Sequence, residues 1–120
     1  MFDIGVHHVS LNVTDAPSAI RFYVDVLGMV QRDDRPDFGA GFDGAWLQAG
    51  EQQVHILEVP DFVPPKGQHF ALRVADIDAA RAHLLDHGVE VSESRKQADI
   101  CWQSFFRDPT GNLIELNQPM

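Results

Sequence analysis

From Val6 to Val13 the chain alternates, with Val9, Leu11 and Val13 on one side and His8, Ser10 and Asn12 on the other. A period of two marks a strand with one buried face. The period then changes. Ile20, Tyr23, Val24 and Leu27 recur at i, i+3, i+4 and i+7, which predicts a helix with one apolar stripe. Asp15 is its candidate N-cap, Pro17 is tolerated in its first turn, and Gly28 can end it in a left-handed cap. Beyond Gly28 the pattern predicts a strand, then strands over 46–49 and 54–59 about a turn near Gly50.

The same order returns. His69-Phe70-Ala71-Leu72-Arg73-Val74-Ala75-Asp76 matches His8-Val9-Ser10-Leu11-Asn12-Val13-Thr14-Asp15, with His, Leu, Val and Asp recurring at an offset of 61, as from His8 to His69. Phe70, Leu72 and Val74 take the buried face; His69, Ala71 and Arg73 take the other. Asp76 caps a second helix with Ile77, Ala80 and Leu84 as its stripe, and Gly88 ends it. Gly28 and Gly88 are 60 apart, so one residue separates the two copies in length. Strands are expected over 89–93, 101–106 and 113–117, the last two joined by the turn Asp108-Pro109-Thr110-Gly111, where proline presets φ and glycine accepts φ > 0. Each half therefore reads β-α-β-β-β. The expected fold is α+β, a single domain over 1–120 built from modules 1–60 and 67–120. Residues 33–44 read as a mobile loop or a poor strand, and 60–67, with Pro60, Pro64 and Pro65, as the linker. Modules of ~60 residues bury too little surface to stand alone. They are expected to pack as open curved sheets around a cleft, within one chain or across a homodimer.

Charge narrows the partners. The chain has nine basic and eighteen acidic residues, a formal net charge of −9 and no basic run. Nucleic-acid binders displace phosphate counterions with a basic surface, so neither nucleic acid nor an anionic membrane is expected. No apolar run reaches the ~20 residues of a membrane span. The start, Met1-Phe2-Asp3-Ile4, lacks the pattern of a signal peptide, which makes a cytoplasmic location the expectation. The single Cys101 has no partner for a disulfide or a thiolate metal site.

The chemistry is sought on the strand faces turned away from the apolar layer. In residues 113–117, Ile114 and Leu116 take the core side and Glu115 the other. His55 follows Gly50 at nearly the spacing by which Glu115 follows Gly111. His8, His69 and Glu115, with His55, therefore occupy related positions. Two imidazoles and a carboxylate form a site for one divalent ion, Fe, Mn, Ni, Co or Zn, with positions left for substrate oxygens. His55 is the candidate catalytic base. Asn12, Gln48, Arg73 and Trp46 are candidate substrate contacts, Arg73 through a forked pair with an acid group.

The chain resembles the vicinal-oxygen-chelate superfamily, which includes glyoxalase I, bleomycin-resistance proteins, fosfomycin-resistance enzymes and extradiol dioxygenases. The resemblance rests on residues 8–23 with Val26-Leu27-Gly28, on 69–76, and on Arg107-Asp108-Pro109-Thr110-Gly111-Asn112-Leu113-Ile114-Glu115-Leu116. It implies His8, His69 and Glu115 as metal ligands. It also implies a homodimer in which His8 comes from one chain and His69 with Glu115 from its partner. Where glyoxalase I proteins add a glutamate, this chain has His55, a departure that argues against that activity. The implied function is metal-dependent chemistry on a small molecule with vicinal oxygens, by lyase, isomerase or thiol-transfer steps. The alternatives are a non-catalytic dimer that sequesters a ligand and an extradiol dioxygenase.

Other groups have plainer readings. His7 falls on the core face by alternation, as a structural histidine. His83 and His87, at i and i+4, read as a solvated helix flank. Trp46, Trp102, Phe105 and Phe106 divide between a substrate wall and core packing, and Cys101 reads as an inert buried thiol.

Overall fold

The computed structural model describes residues 2–120. Its contacts divide the chain into two compact units, the first ending at Phe62 and the second running Val63–Met120. The division falls inside the proline-rich stretch that the sequence marks as a linker.

In the first unit β1 (His8–Val13) leads into α1 (Ala16–Arg21), and then come β2 (Val30–Gln31), β3 (Gly44–Ala49) and β4 (Gln52–Glu58). The sheet order is β1-β4-β3-β2, with β1 parallel to β4 and the other neighbours antiparallel. In the second unit β5 (His69–Arg73) leads into α2 (Ile77–Asp86), followed by β6 (Arg95–Gln97), β7 (Cys101–Arg107) and β8 (Leu113–Pro119). Its order, β5-β8-β7-β6, is the same topology. Two four-stranded mixed sheets with one helix each make the α+β fold expected from the sequence.

Register explains which residues are buried. Val9 stands opposite Val54, Leu11 opposite Ile56, and Leu47 opposite Val54. Directly opposed residues share a face, so these side chains form one layer. Val13, Ala45, Leu47, Val54 and Ile56 are buried there, together with Ala16 and Ala19 of α1. Ile114, Leu116 and Phe106 of the second unit are buried alongside Ile77 and Leu84 of α2.

Both predicted caps form. Asp15 accepts a hydrogen bond from Ser18 N at 3.0 Å and Asp76 one from Ala79 N at 3.0 Å. A second fastening was not foreseen. Glu58 Oε2 accepts from Ala16 N at 2.8 Å, and Gln118 Oε1 accepts from Ile77 N at 2.8 Å. In each unit the last strand thereby satisfies an N–H at the helix start that has no intrahelical acceptor.

The first helix departs from a uniform α-helix. After Arg21 it widens into a π turn over Phe22–Val26, with Leu27 N bonding to Phe22 O at 3.1 Å. The buried stripe is Ala16, Ala19, Phe22 and Tyr23, while Ile20, Val24 and Leu27 are half-buried. The cause is the unequal length of the copies. Thirteen positions separate Asp15 from Gly28 and twelve separate Asp76 from Gly88. A π turn takes up one extra residue without moving either end.

The expected strand over 89–93 is corrected. Val91 makes an isolated bridge to Phe106, and the regular strand starts at Arg95. Ser92 interrupts the ladder: its hydroxyl accepts from Phe105 N at 2.8 Å, and its carbonyl accepts from Ser104 Oγ at 2.5 Å. A side chain here replaces the backbone group that a strand would use. The Asp108 turn forms as predicted. Its Oδ1 accepts from the N–H groups of Thr110, Gly111 and Asn112 at 3.0, 3.0 and 2.9 Å.

Candidate functional site

The polar face of the second unit carries His69, Ala71 and Arg73 on β5, Glu115 and Asn117 on β8, and Gln103 and Phe105 on β7. Glu115 is buried, at 5% exposure. Every oxygen of its carboxylate is engaged. Oε1 lies 3.0 Å from His69 Nε2, and Oε2 accepts from Gln103 Nε2 at 3.0 Å and from Asn117 Nδ2 at 2.8 Å. Burial would raise its pKa, but the hydrogen bonds from Asn117, Gln103 and His69 outweigh it and hold the carboxyl below its ordinary range.

His69 is oriented from behind. Its Nδ1 lies 2.9 Å from Gly67 O, a pure acceptor, so Nδ1 carries a proton and Nε2 faces the acid. That carbonyl, and then Glu115, raise the imidazole pKa against the opposing effect of burial. Phe105 meets the ring edge-on, with centroids 5.4 Å apart.

The first unit presents a stack of rings. His55 on β4 lies between His8 on β1 and Trp46 on β3, with centroids 3.9 and 4.7 Å apart and interplanar angles of 14° and 13°. His55 Nε2 donates to Gln53 Oε1 at 2.8 Å, which leaves the Nδ1 lone pair as the basic position. Burial, first, and then His8, His7, Arg32 and Arg35 push its pKa down. His7 is corrected from a core histidine to an exposed one. It precedes the regular strand, and its Nδ1 lies 2.9 Å from His8 Nδ1. The Nε2 of His8 has no partner among the described residues.

The expected contacts divide. Asn12 is exposed on the His8 face of β1, and Arg73 is exposed at the end of β5 on the Glu115 face. Trp46 is half-buried within the stack. Gln48 is used at both ends of its amide, accepting from Arg32 Nη1 at 2.6 Å and donating to Gly50 O at 2.8 Å. Trp102 and Phe106 lie on the other face from Phe105. His83 and His87 are exposed, their rings 4.4 Å apart.

Of the expected ligands, the structure brings His69 and Glu115 together in one unit and stacks His8 on His55 in the other. Among the described residues no three His, Cys, Asp or Glu side chains gather as a metal cluster. The donor chemistry still fits a divalent ion. His69 has one nitrogen committed to a carbonyl and the other facing a carboxylate oxygen, the pattern by which outer hydrogen bonds orient a metal-binding imidazole. Gln103, Asn117 and the Gly67 carbonyl were missed in the sequence. Asn117 could have been found, since it lies two residues beyond Glu115 and shares its face. Gln103 depends on the β7–β8 register.

The comparisons agree with this architecture. Residues 5–116 match the model of the Glyoxalase/Bleomycin resistance protein/Dioxygenase superfamily, and the chain belongs to that superfamily. It is 32% identical to the uncharacterized protein YaeR of Escherichia coli (strain K12), over 92% of this chain and 93% of that one. It is similar to the structure of TnmS3, an antibiotic binding protein from Streptomyces sp. CB03234. The TM-score is 0.81 and the identity 30%, covering 100% of this chain and 99% of the other. Lactoylglutathione lyase from Agrobacterium tumefaciens shares the fold, with a TM-score of 0.75 at 19% identity over 95% and 92% of the two chains. No helix among the described residues is long and apolar enough to cross a membrane.

Proposed function

We infer that this protein is a metal-dependent enzyme acting on a small molecule with two neighbouring oxygens, by lyase, isomerase or thiol-transfer chemistry. The observation that carries the reading is the His69–Glu115 pair at 3.0 Å, held from behind by Gly67 O, Gln103 and Asn117. A carboxylate buried as Glu115 is must be paired and hydrogen-bonded to offset its lost hydration. Three supporting hydrogen bonds on this pair suit a site that must present a nitrogen and an oxygen at fixed positions.

His8, His69 and Glu115 would hold one divalent ion, Fe, Mn, Ni, Co or Zn, with His55 beside them. Bound there, the ion would act as a Lewis acid toward substrate oxygens. The residues supply the rest. His55 is held neutral by burial and nearby positive charge, and it accepts a proton at Nδ1. Trp46 and Asn12 border the substrate, and Arg73 receives an acidic group. His8 from one protomer joins His69 and Glu115 from its partner in a cytoplasmic homodimer.

The test is elemental analysis of protein purified without a histidine tag. About one ion per His8, His69 and Glu115 set is expected. Its affinity should fall about hundredfold or more in His8→Ala and His69→Ala. Protein that takes up no divalent ion, with ligand affinity unchanged in both variants, would replace this reading with a sequestering dimer. That second reading draws on the 30% identity to an antibiotic binding protein.

A further inference from the structure

We propose that Arg35, Phe38 and Trp46 form a subsite for a flat aromatic anion. The proposal deepens the reading of the His55 face as a ligand-binding surface and rests on that reading. All three residues belong to the first unit. Phe38 is 51% exposed, with its ring centroid 6.3 Å from that of Trp46. Arg35 Cζ sits 5.0 Å from the Phe38 centroid. Two aromatic rings left partly open to water carry an unfavourable apolar exposure that a planar ligand would relieve.

Charge decides what kind of planar ligand. Eighteen acidic residues outnumber nine basic ones, so an arginine here has many potential partners. Arg32 takes Asp34 at 2.7 Å, and Asp37 is turned to Gly39 N at 2.8 Å. Arg35 makes no ion pair among the described residues. Its Nη2 donates to Phe42 O at 2.6 Å, which anchors the guanidinium by one edge and leaves its other donors unused by any carboxylate. Gly44 lets Arg35 lie close against the strand: a Cβ there would collide with the Ile56 carbonyl and approach Arg35 Nη2 at 3.3 Å. A cation fixed beside an aromatic pair recognises a ring bearing a carboxylate or sulfonate.

The probe is 2-naphthoate against its neutral counterpart 2-naphthamide, titrated calorimetrically into full-length protein stripped of metal with EDTA. Naphthoate is expected to bind about tenfold more tightly than the amide. Arg35→Met should reduce that ratio to near one, Arg35→Lys should keep part of it, and Trp46→Leu should weaken both ligands together. Arg21→Met, at the exposed end of α1, should change neither. Equal affinities in the wild type, no binding of either compound, or a ratio that survives Arg35→Met would overturn the proposal. The titration needs no metal. A protein that discriminates the two compounds yet takes up no divalent ion keeps this subsite and loses the enzymatic reading; the opposite result keeps the enzyme and loses the subsite.

Discussion

One backbone carbonyl, that of Gly67, decides which nitrogen of His69 meets Glu115. The consequence is a pH dependence whose sign can be worked out. The Glu115 pKa is lowered on folding, so its contribution is full above the ordinary value of 4.5 and is lost as pH falls through the folded value. The His69 pKa is raised, so its contribution is full below the ordinary value of 6.5 and is lost as pH rises through the folded value. Both are present together between those two values. In metal-free protein, the melting-temperature difference between wild type and Glu115→Gln should therefore be largest in mildly acidic buffer. It should narrow on either side. A difference that stays flat from acid to alkaline pH would show that the pair does not titrate as described.

At the scale of the element, the strands and caps follow from local patterning, and the exceptions follow from particular residues. Alternation in residues 8–13 and 69–73 places every side chain of β1 and β5 on its observed face, and Asp15 and Asp76 cap as their positions predict. Ser92 could not be read that way, because only the folded chain brings its hydroxyl to Phe105 N. The π turn was legible in part: unequal spacing from Asp to Gly in the two copies announces an extra residue, though not where it is absorbed. Of the candidate site, the faces were legible: alternation and spacing put His8, His69, Glu115 and His55 at related strand positions. The pairing of His69 with Glu115, the stacking of His8 on His55 and the Gln103 anchor depend on register between distant strands. Two outcomes follow. Deleting the exposed Asp25 should convert the π turn to α-helix and leave a folded protein, observed as a preserved cooperative melt and regular α-type amide bonding by NMR. Replacing Glu58 by Ala should cost about 1 kcal/mol in denaturant unfolding, the usual penalty for losing a helix-start acceptor. A change within error would show that water replaces Glu58 at Ala16 N.

For the whole molecule, two units of one topology in 120 residues are fixed by the fold. The proposed homodimer with a shared metal site predicts subunit complementation. His8→Ala and Glu115→Ala proteins, each metal-free alone, should regain metal after being unfolded, mixed and refolded. One intact site per heterodimer is expected, read by elemental analysis. Failure of the mixture to take up metal while each variant remains dimeric would place the ligands within single chains instead.

The strand that bears the site residue in each unit also ends on the helix. His55 and Glu58 share β4, and Glu115 and Gln118 share β8, each pair three positions apart. With side chains alternating across the sheet, one member of each pair reaches the polar surface while the other grips a helix amide on the reverse. The strand thus works as a short lever through the sheet. Occupancy on one side should be audible on the other as a chemical-shift change at the amides of Ala16 and Ile77, two sensors that no ligand needs to touch.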